Sequence, residues 1–165
     1  MKKNLKLNKI ALASLVYISR LNLLPANFST LGSFGFFSQA SILYFGIIIL
    51  FDLLVGGFYQ GFIWVYLGFA CYLILGRIAQ KNLIKQIILL PLASFLFFLI
   101  SNFGAWLNWY PHTLAGFQLC YTLALPFYTK TLLGDLVFGY GFLLGKYLLK
   151  KFKYNKIVSS FTPKT

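Results

Sequence analysis

Only two carboxylates occur in this chain of 165 residues, Asp52 and Asp135, and only one histidine, His112. Each aspartate stands in the same setting, Asp-Leu-x-x-Gly, inside or beside an apolar run. An ionisable group at such a place is costly and marks a functional site by default. Two carboxylates brought together could share a proton and activate water. Held apart, each could receive the polar head of a ligand. The residues that could join them are Arg20, Asn27, Asn102, Trp106, Trp109, Tyr110 and His112. Arg20 offers a planar fork for an anionic group. Asn27, Asn102 and Asp135 offer hydrogen bonds, and Trp106, Trp109 and Tyr110 offer flat faces for stacking. A small-molecule pocket combines aromatic walls with a few convergent polar groups.

Each residue also has a simpler use. Trp64, Trp106, Trp109 and Tyr110 could form an interfacial aromatic belt. His112, next to Pro111, could be solvated or cap a helix. Asp52 could pair with Arg20, and Asp135 could sit at the favourable N-terminus of the last helix. Gly57-x-x-x-Gly61 and Gly141-x-x-x-Gly145 permit close helix packing.

The elements that carry these residues follow from composition. The chain is 59% hydrophobic and 10% charged, against about 45–50% and 25% in soluble domains. No charge falls between Leu21 and Phe51, Leu53 and Gly76, or Gln86 and Thr129. These runs exclude disorder and disulfide scaffolds, and they lack the alternation of a membrane barrel. Helices remain as the way to satisfy the backbone in lipid. The expected fold is all-α, a polytopic bundle of about six helices forming one domain over 1–150, with a basic tail at 151–165. The net charge of +13 suggests nucleic acid at first sight. The cations lie between and beyond the apolar runs, so the lipid bilayer is the expected partner and nucleic acid is not. Cys71 and Cys120, within apolar runs, read as unpaired inert thiols.

Candidate spans cover 8–23, 30–57, 59–77, 86–104, 113–128 and 131–149. The first reads as an uncleaved helix, because its apolar stretch runs into Arg20 without a small-x-small cleavage site just after it. Segment 30–57 is either one long helix or two short ones meeting near Gln39–Ser41. Segment 113–128, which contains Pro126, either crosses or dips in part. The preference of Lys and Arg for the cytoplasmic side arbitrates. With two short helices in 30–57 and a partial insertion at 113–128, only Arg20 and Lys130 of the 15 basic residues lie outside. Both termini are then cytoplasmic, in the inner (plasma) membrane, and the polar and aromatic residues gather on the outer face. A repeat at an offset of 83 residues pairs Asp52 with Asp135 and Thr30 with Thr113.

The stretch Ser101-Asn102-Phe103-Gly104-Ala105-Trp106-Leu107, then Tyr110-Pro111-x-Thr113-Leu114-Ala115-Gly116, then Thr131-Leu132-Leu133-Gly134-Asp135-Leu136, resembles an uncharacterised bacterial family of small multi-pass membrane proteins. Pro25-x-Asn27-Phe28-x-Thr30 and Asp52-Leu53 fit it as well. That family is similar in size and helix count to the substrate-binding S components of energy-coupling-factor (ECF) vitamin transporters. The resemblance implies six helices, an outward pocket for a small organic nutrient, a transmembrane coupling subunit and two ATPases. S components often carry an Ala-x-x-x-Ala face on the first helix; here Ala11 and Ala13 are present at a different spacing. The chain has no phosphate-binding Gly-x-x-x-x-Gly-Lys-Ser/Thr loop, so any ATP hydrolysis would belong to a partner.

Three functions compete. The first is a non-enzymatic transporter component without a cofactor, capturing its substrate through Arg20, Asn27, Asp52, Asn102, Trp106, Trp109, Tyr110, His112 and Asp135. The second is a non-catalytic membrane partner or assembly protein. The third is an intramembrane aspartyl hydrolase, although Leu132 replaces the first glycine of the usual Gly-x-Gly-Asp.

Overall fold

The computed structural model describes residues 27–161, with side chains through residue 152. The expected span 8–23, Arg20 and the N-terminal lysines lie outside the described residues. Those described are helical, with no strand among them. Two short helices come first, α1 (Leu31–Ser38) and α2 (Ser41–Phe51). Three long ones follow, α3 (Phe62–Ala79), α4 (Leu83–Trp109) and α5 (Leu114–Phe161).

The segment 30–57 is thus two helices. The break falls at Gln39, whose backbone is left-handed with φ of 54°. Its side-chain amide donates to the Phe36 carbonyl at 2.9 Å, closing one of the free carbonyls at the end of α1. At its other end α2 loosens into one π turn, Asp52–Gly56, in which the Gly57 amide reaches back to the Asp52 carbonyl. Gly57 then adopts φ of 69°, a conformation that glycine takes at little cost.

The turn Gln80–Asn82 joins α3 to α4. Asn82 caps α4 by accepting the Lys85 amide at 3.0 Å, the usual role of asparagine at that position. A turn this short makes the two helices antiparallel neighbours. Thr113 caps α5 by accepting the Gly116 amide at 3.1 Å.

Segments 113–128 and 131–149 are one helix, not a dip followed by a span. Pro126 removes one amide from the helix but does not turn the chain. No glycine or asparagine lies between Pro126 and Leu133 on which a turn could form. The Thr129 and Thr131 hydroxyls bond back to the carbonyls of Pro126 and Phe127, at 2.9 and 3.1 Å. Residues 151–161 continue α5. At 1.5 Å per residue the whole of α5 would reach about 72 Å, far beyond a ~30 Å hydrocarbon layer.

Three helices, α3, α4 and the stretch 114–152 of α5, are long and apolar enough to cross a membrane. Their outward faces carry exposed Ile63, Leu67, Ile74 and Ile78 on α3, and Ile84, Ile88 and Phe95 on α4. A helix apolar on its outer face as well as its inner one suits lipid and not water. The chain is therefore a membrane protein. Inside, Leu31, Phe34, Tyr44, Ile48 and Leu73 form one buried cluster, and Phe36, Tyr72, Ala79, Leu90 and Ala93 form another. Cys71 and Cys120 are unpaired. Gly141 and Gly145 meet no neighbour among the described residues.

Gln39, Gln80, Lys81 and Lys146 border one hollow. The α1–α2 break, the α3–α4 turn and the basic half of α5 therefore share one end of the bundle. The opposite end holds the α4–α5 loop.

Candidate functional site

Two groups of polar residues within the bundle stand apart from each other. The first lines a cavity of about 380 Å³ toward the α4–α5 loop end. Asp52 enters it from the π turn, Ser101 and Asn102 from the middle of α4, and Thr131 from α5. Asn27 and Tyr59 contribute from connecting segments. Phe69, Phe97, Phe98, Tyr128 and Trp109 provide aromatic walls. The volume falls within the range of small-molecule sites.

Asp52 accepts the Tyr66 hydroxyl on Oδ2 at 2.6 Å. The Ser101 hydroxyl donates to the Phe97 carbonyl and the Asn102 amide to the Phe98 carbonyl, both at 2.7 Å. Folding polar side chains back onto their own helix lets α4 carry them at membrane depth.

The second group is closed. Asp135 is 1% exposed, Ser94 and Tyr72 are fully buried, and Ser33 is 6% exposed. Oδ2 of Asp135 accepts the Tyr72 hydroxyl and, at 2.5 Å, the Ser94 hydroxyl. Ser33 donates to the Asp135 backbone carbonyl at 3.1 Å. One side chain each from α1, α3 and α4 therefore meets Asp135 of α5, the Ser33 hydroxyl lying 3.5 Å from Oδ1. Gly32 makes this approach possible, because a Cβ there would overlap Asp135 Oδ1 and the Tyr72 ring. A buried carboxylate held by hydroxyl donors is satisfied in place, and the arrangement works as a clasp between helices.

This corrects two expectations. Asp135 does not line the cavity, and it does not begin a helix, since α5 starts at Leu114. Its partner Ser94 lies eight residues before Asn102 on α4, a difference in depth of about 12 Å. The two aspartates also do not form a pair. Asp52 bonds to Tyr66 and Asp135 to Tyr72, two different tyrosines of α3.

Of the remaining expected residues, Asn27, Asn102 and Trp109 line the cavity with Asp52, whereas Trp106, Tyr110 and His112 do not. Trp106 Nε1 donates to the Pro111 carbonyl at 3.0 Å. The His112 ring lies 2.9 Å from the Leu107 carbonyl. Tyr110 closes α4 through its amide to Trp106. These three shape the loop beside the cavity, and the capping use of His112 is the one observed. Arg20 lies outside the described residues. Residues not foreseen from sequence are Ser101, Thr131 and Tyr128 in the cavity, and Ser33, Tyr72 and Ser94 in the clasp. Serine, threonine and tyrosine are common in membrane helices, and no spacing sets these apart.

Comparison with known proteins yields no curated protein and no solved structure that matches. A family model, described as a family of unknown function (DUF6580), matches residues 2–157. The match covers nearly the whole chain, which therefore belongs to that family.

Proposed function

We propose that this chain is a transporter component that captures a small organic molecule, such as a vitamin or precursor, in the cavity between α2, α3, α4 and α5. One observation carries the reading: four polar side chains from three elements, Asp52, Ser101, Asn102 and Thr131, converge on one aromatic-walled space. The Asp135 clasp fixes the helices around that space and makes no part of it. We place the protein in the bacterial inner (plasma) membrane. Arg77, Lys81 and Lys85 share an end with Lys146, which puts that end in the cytoplasm by the positive-inside rule and turns the cavity outward. A coupling subunit with ATPases, as in the ECF transporters, is the energy source we propose.

The test is a thermal-shift screen of the purified protein against vitamins and their precursors, followed by uptake in whole cells. A hit should raise the midpoint, and Asn102→Leu should remove the shift and reduce uptake at least tenfold. A screen without hits, together with unchanged uptake in Asn102→Leu cells, overturns the reading. A second reading, a non-catalytic assembly partner, is favoured by Gly141 and Gly145 on α5, which meet no neighbour among the described residues. Co-purification of a stable protein complex without a small molecule would support it.

A further inference from the structure

We propose that the molecule taken by this cavity is a small organic cation, an ammonium carried on an apolar or aromatic body. The inference rests on the capture reading and narrows it to one chemical class.

The argument counts donors and acceptors. Asp52 contributes a carboxylate, which only accepts. Its Oδ2 takes the Tyr66 hydroxyl, and no hydrogen bond among the described residues reaches its Oδ1. Serine and threonine each own one hydroxyl proton. Ser101 spends its proton on the Phe97 carbonyl and Thr131 on the Phe127 carbonyl. What those hydroxyls retain for a ligand is lone pairs. Asn102 commits one amide N–H to the Phe98 carbonyl and keeps its Oδ1 as an acceptor. Asp52, Ser101 and Thr131 thus present lone pairs, and Asn102 keeps one N–H beside its oxygen, so the group that bonds Asp52 Oδ1 must be a donor. Asn27, Tyr59, Tyr128 and Trp109 also line the cavity and carry donors for any acceptor on the rest of the ligand.

Charge points the same way. Among the described residues that line the cavity there is one carboxylate and no lysine, arginine or histidine. No ion pair involves Asp52 among the described residues. A carboxylate in an aromatic-walled space with no cation among the described residues is costly, and a cationic ligand offsets that cost. An anionic ligand would add a second negative charge beside it. The ring faces of Phe97, Phe98, Tyr128 and Trp109 attract a desolvated cation further.

The experiment uses the full chain in detergent and three probes of one shape: 3-phenylpropylamine, 3-phenylpropan-1-ol and 3-phenylpropionate. Binding is read by calorimetry and by thermal shift. The amine should bind at least tenfold tighter than the alcohol, and the acid should not bind. Asp52→Asn should abolish the preference for the amine. Ser101→Ala, which leaves the Asp52 carboxylate in place, should weaken the amine about fivefold, the scale of one lost hydrogen bond. It keeps the test decisive should Asp52→Asn fail to fold. Tighter binding of the alcohol or the acid overturns the charge assignment and leaves capture standing. Equal binding of the amine by wild type and both variants overturns it too. Failure of all three probes also overturns it, and the vitamin screen then judges capture by itself.

Discussion

The Tyr140 hydroxyl of α5 donates to the Ile87 carbonyl of α4 at 2.9 Å. Ile87 stands four residues before Pro91, which has no amide to return the usual helical bond. A carbonyl freed inside an apolar helix needs a donor from elsewhere, and the neighbouring helix supplies it. Tyr140 lies on the same helix as Asp135, so the clasp and this bond hold α4 and α5 together at successive turns.

Tyr140→Phe should lower stability by about 0.6 kcal/mol, the average measured for hydrogen bonds between membrane helices, and by no more than about 1.7. Pro91→Ala restores an amide to Ile87 and should make the tyrosine hydroxyl dispensable. A double-mutant cycle by SDS or thermal unfolding then shows a non-additive pair. Additive losses would mean that the two residues act independently.

Removal of the clasp carboxylate should cost more. Asp135→Leu takes the carboxylate acceptor from the buried Tyr72 hydroxyl, a penalty of about 1–3 kcal/mol, and leaves the Ser94 hydroxyl only the Leu90 carbonyl at 3.5 Å. Asp135→Asn keeps one carbonyl oxygen for them and should unfold at a midpoint between wild type and the leucine variant. An unfolding series read by tryptophan fluorescence would order the three.

Gly32→Val should be among the most damaging single changes. Its side chain would enter space held by Asp135 Oδ1 and the Tyr72 ring. The cost of such overpacking is about 1–3 kcal/mol, and α1 should detach from the bundle. Size-exclusion profiles and proteolysis near Gln39 would report it. Gly141→Val, where nothing lies within 4 Å among the described residues, is the matched control and should leave both unchanged.

The shared end of the bundle can be read by labelling. Single cysteines at Gln80 and Lys146, in a background with Cys71 and Cys120 replaced, should react with an impermeant maleimide from the same side. A cysteine at His112 should react from the other. Reaction of positions 80 and 146 from opposite sides would contradict the continuous α5.

His112→Ala and Trp106→Phe remove bonds that hold the α4–α5 loop, and neither residue lines the cavity. Each should lower the unfolding midpoint slightly, by less than about 1 kcal/mol. Titration of any ligand found in the screen should give the same affinity as wild type. A tenfold loss would place the loop within the binding site.

Much of the fold was legible because lipid allows few alternatives. Apolar runs without charge had to become helices, and the basic clusters had to share a side if the inner ones were cytoplasmic. The break near Gln39–Ser41 was one of two possibilities, and the left-handed Gln39 with its self-cap decided between them. The joining of 113–128 to 131–149 was not legible, since proline in a sequence marks a missing amide and does not say whether the helix ends there.

The membrane class and the short roll of hydrophilic residues were settled by the sequence alone, because composition determines what a bilayer tolerates. The division of those residues into a lined cavity and a sealed clasp was settled by tertiary structure. Asp52 and Asp135 have the same local setting, Asp-Leu-x-x-Gly. One stands at a loosened helix end beside open space, the other in mid-helix against three hydroxyls. That difference comes from which helices pack against each carboxylate, and residue order along the chain does not contain it.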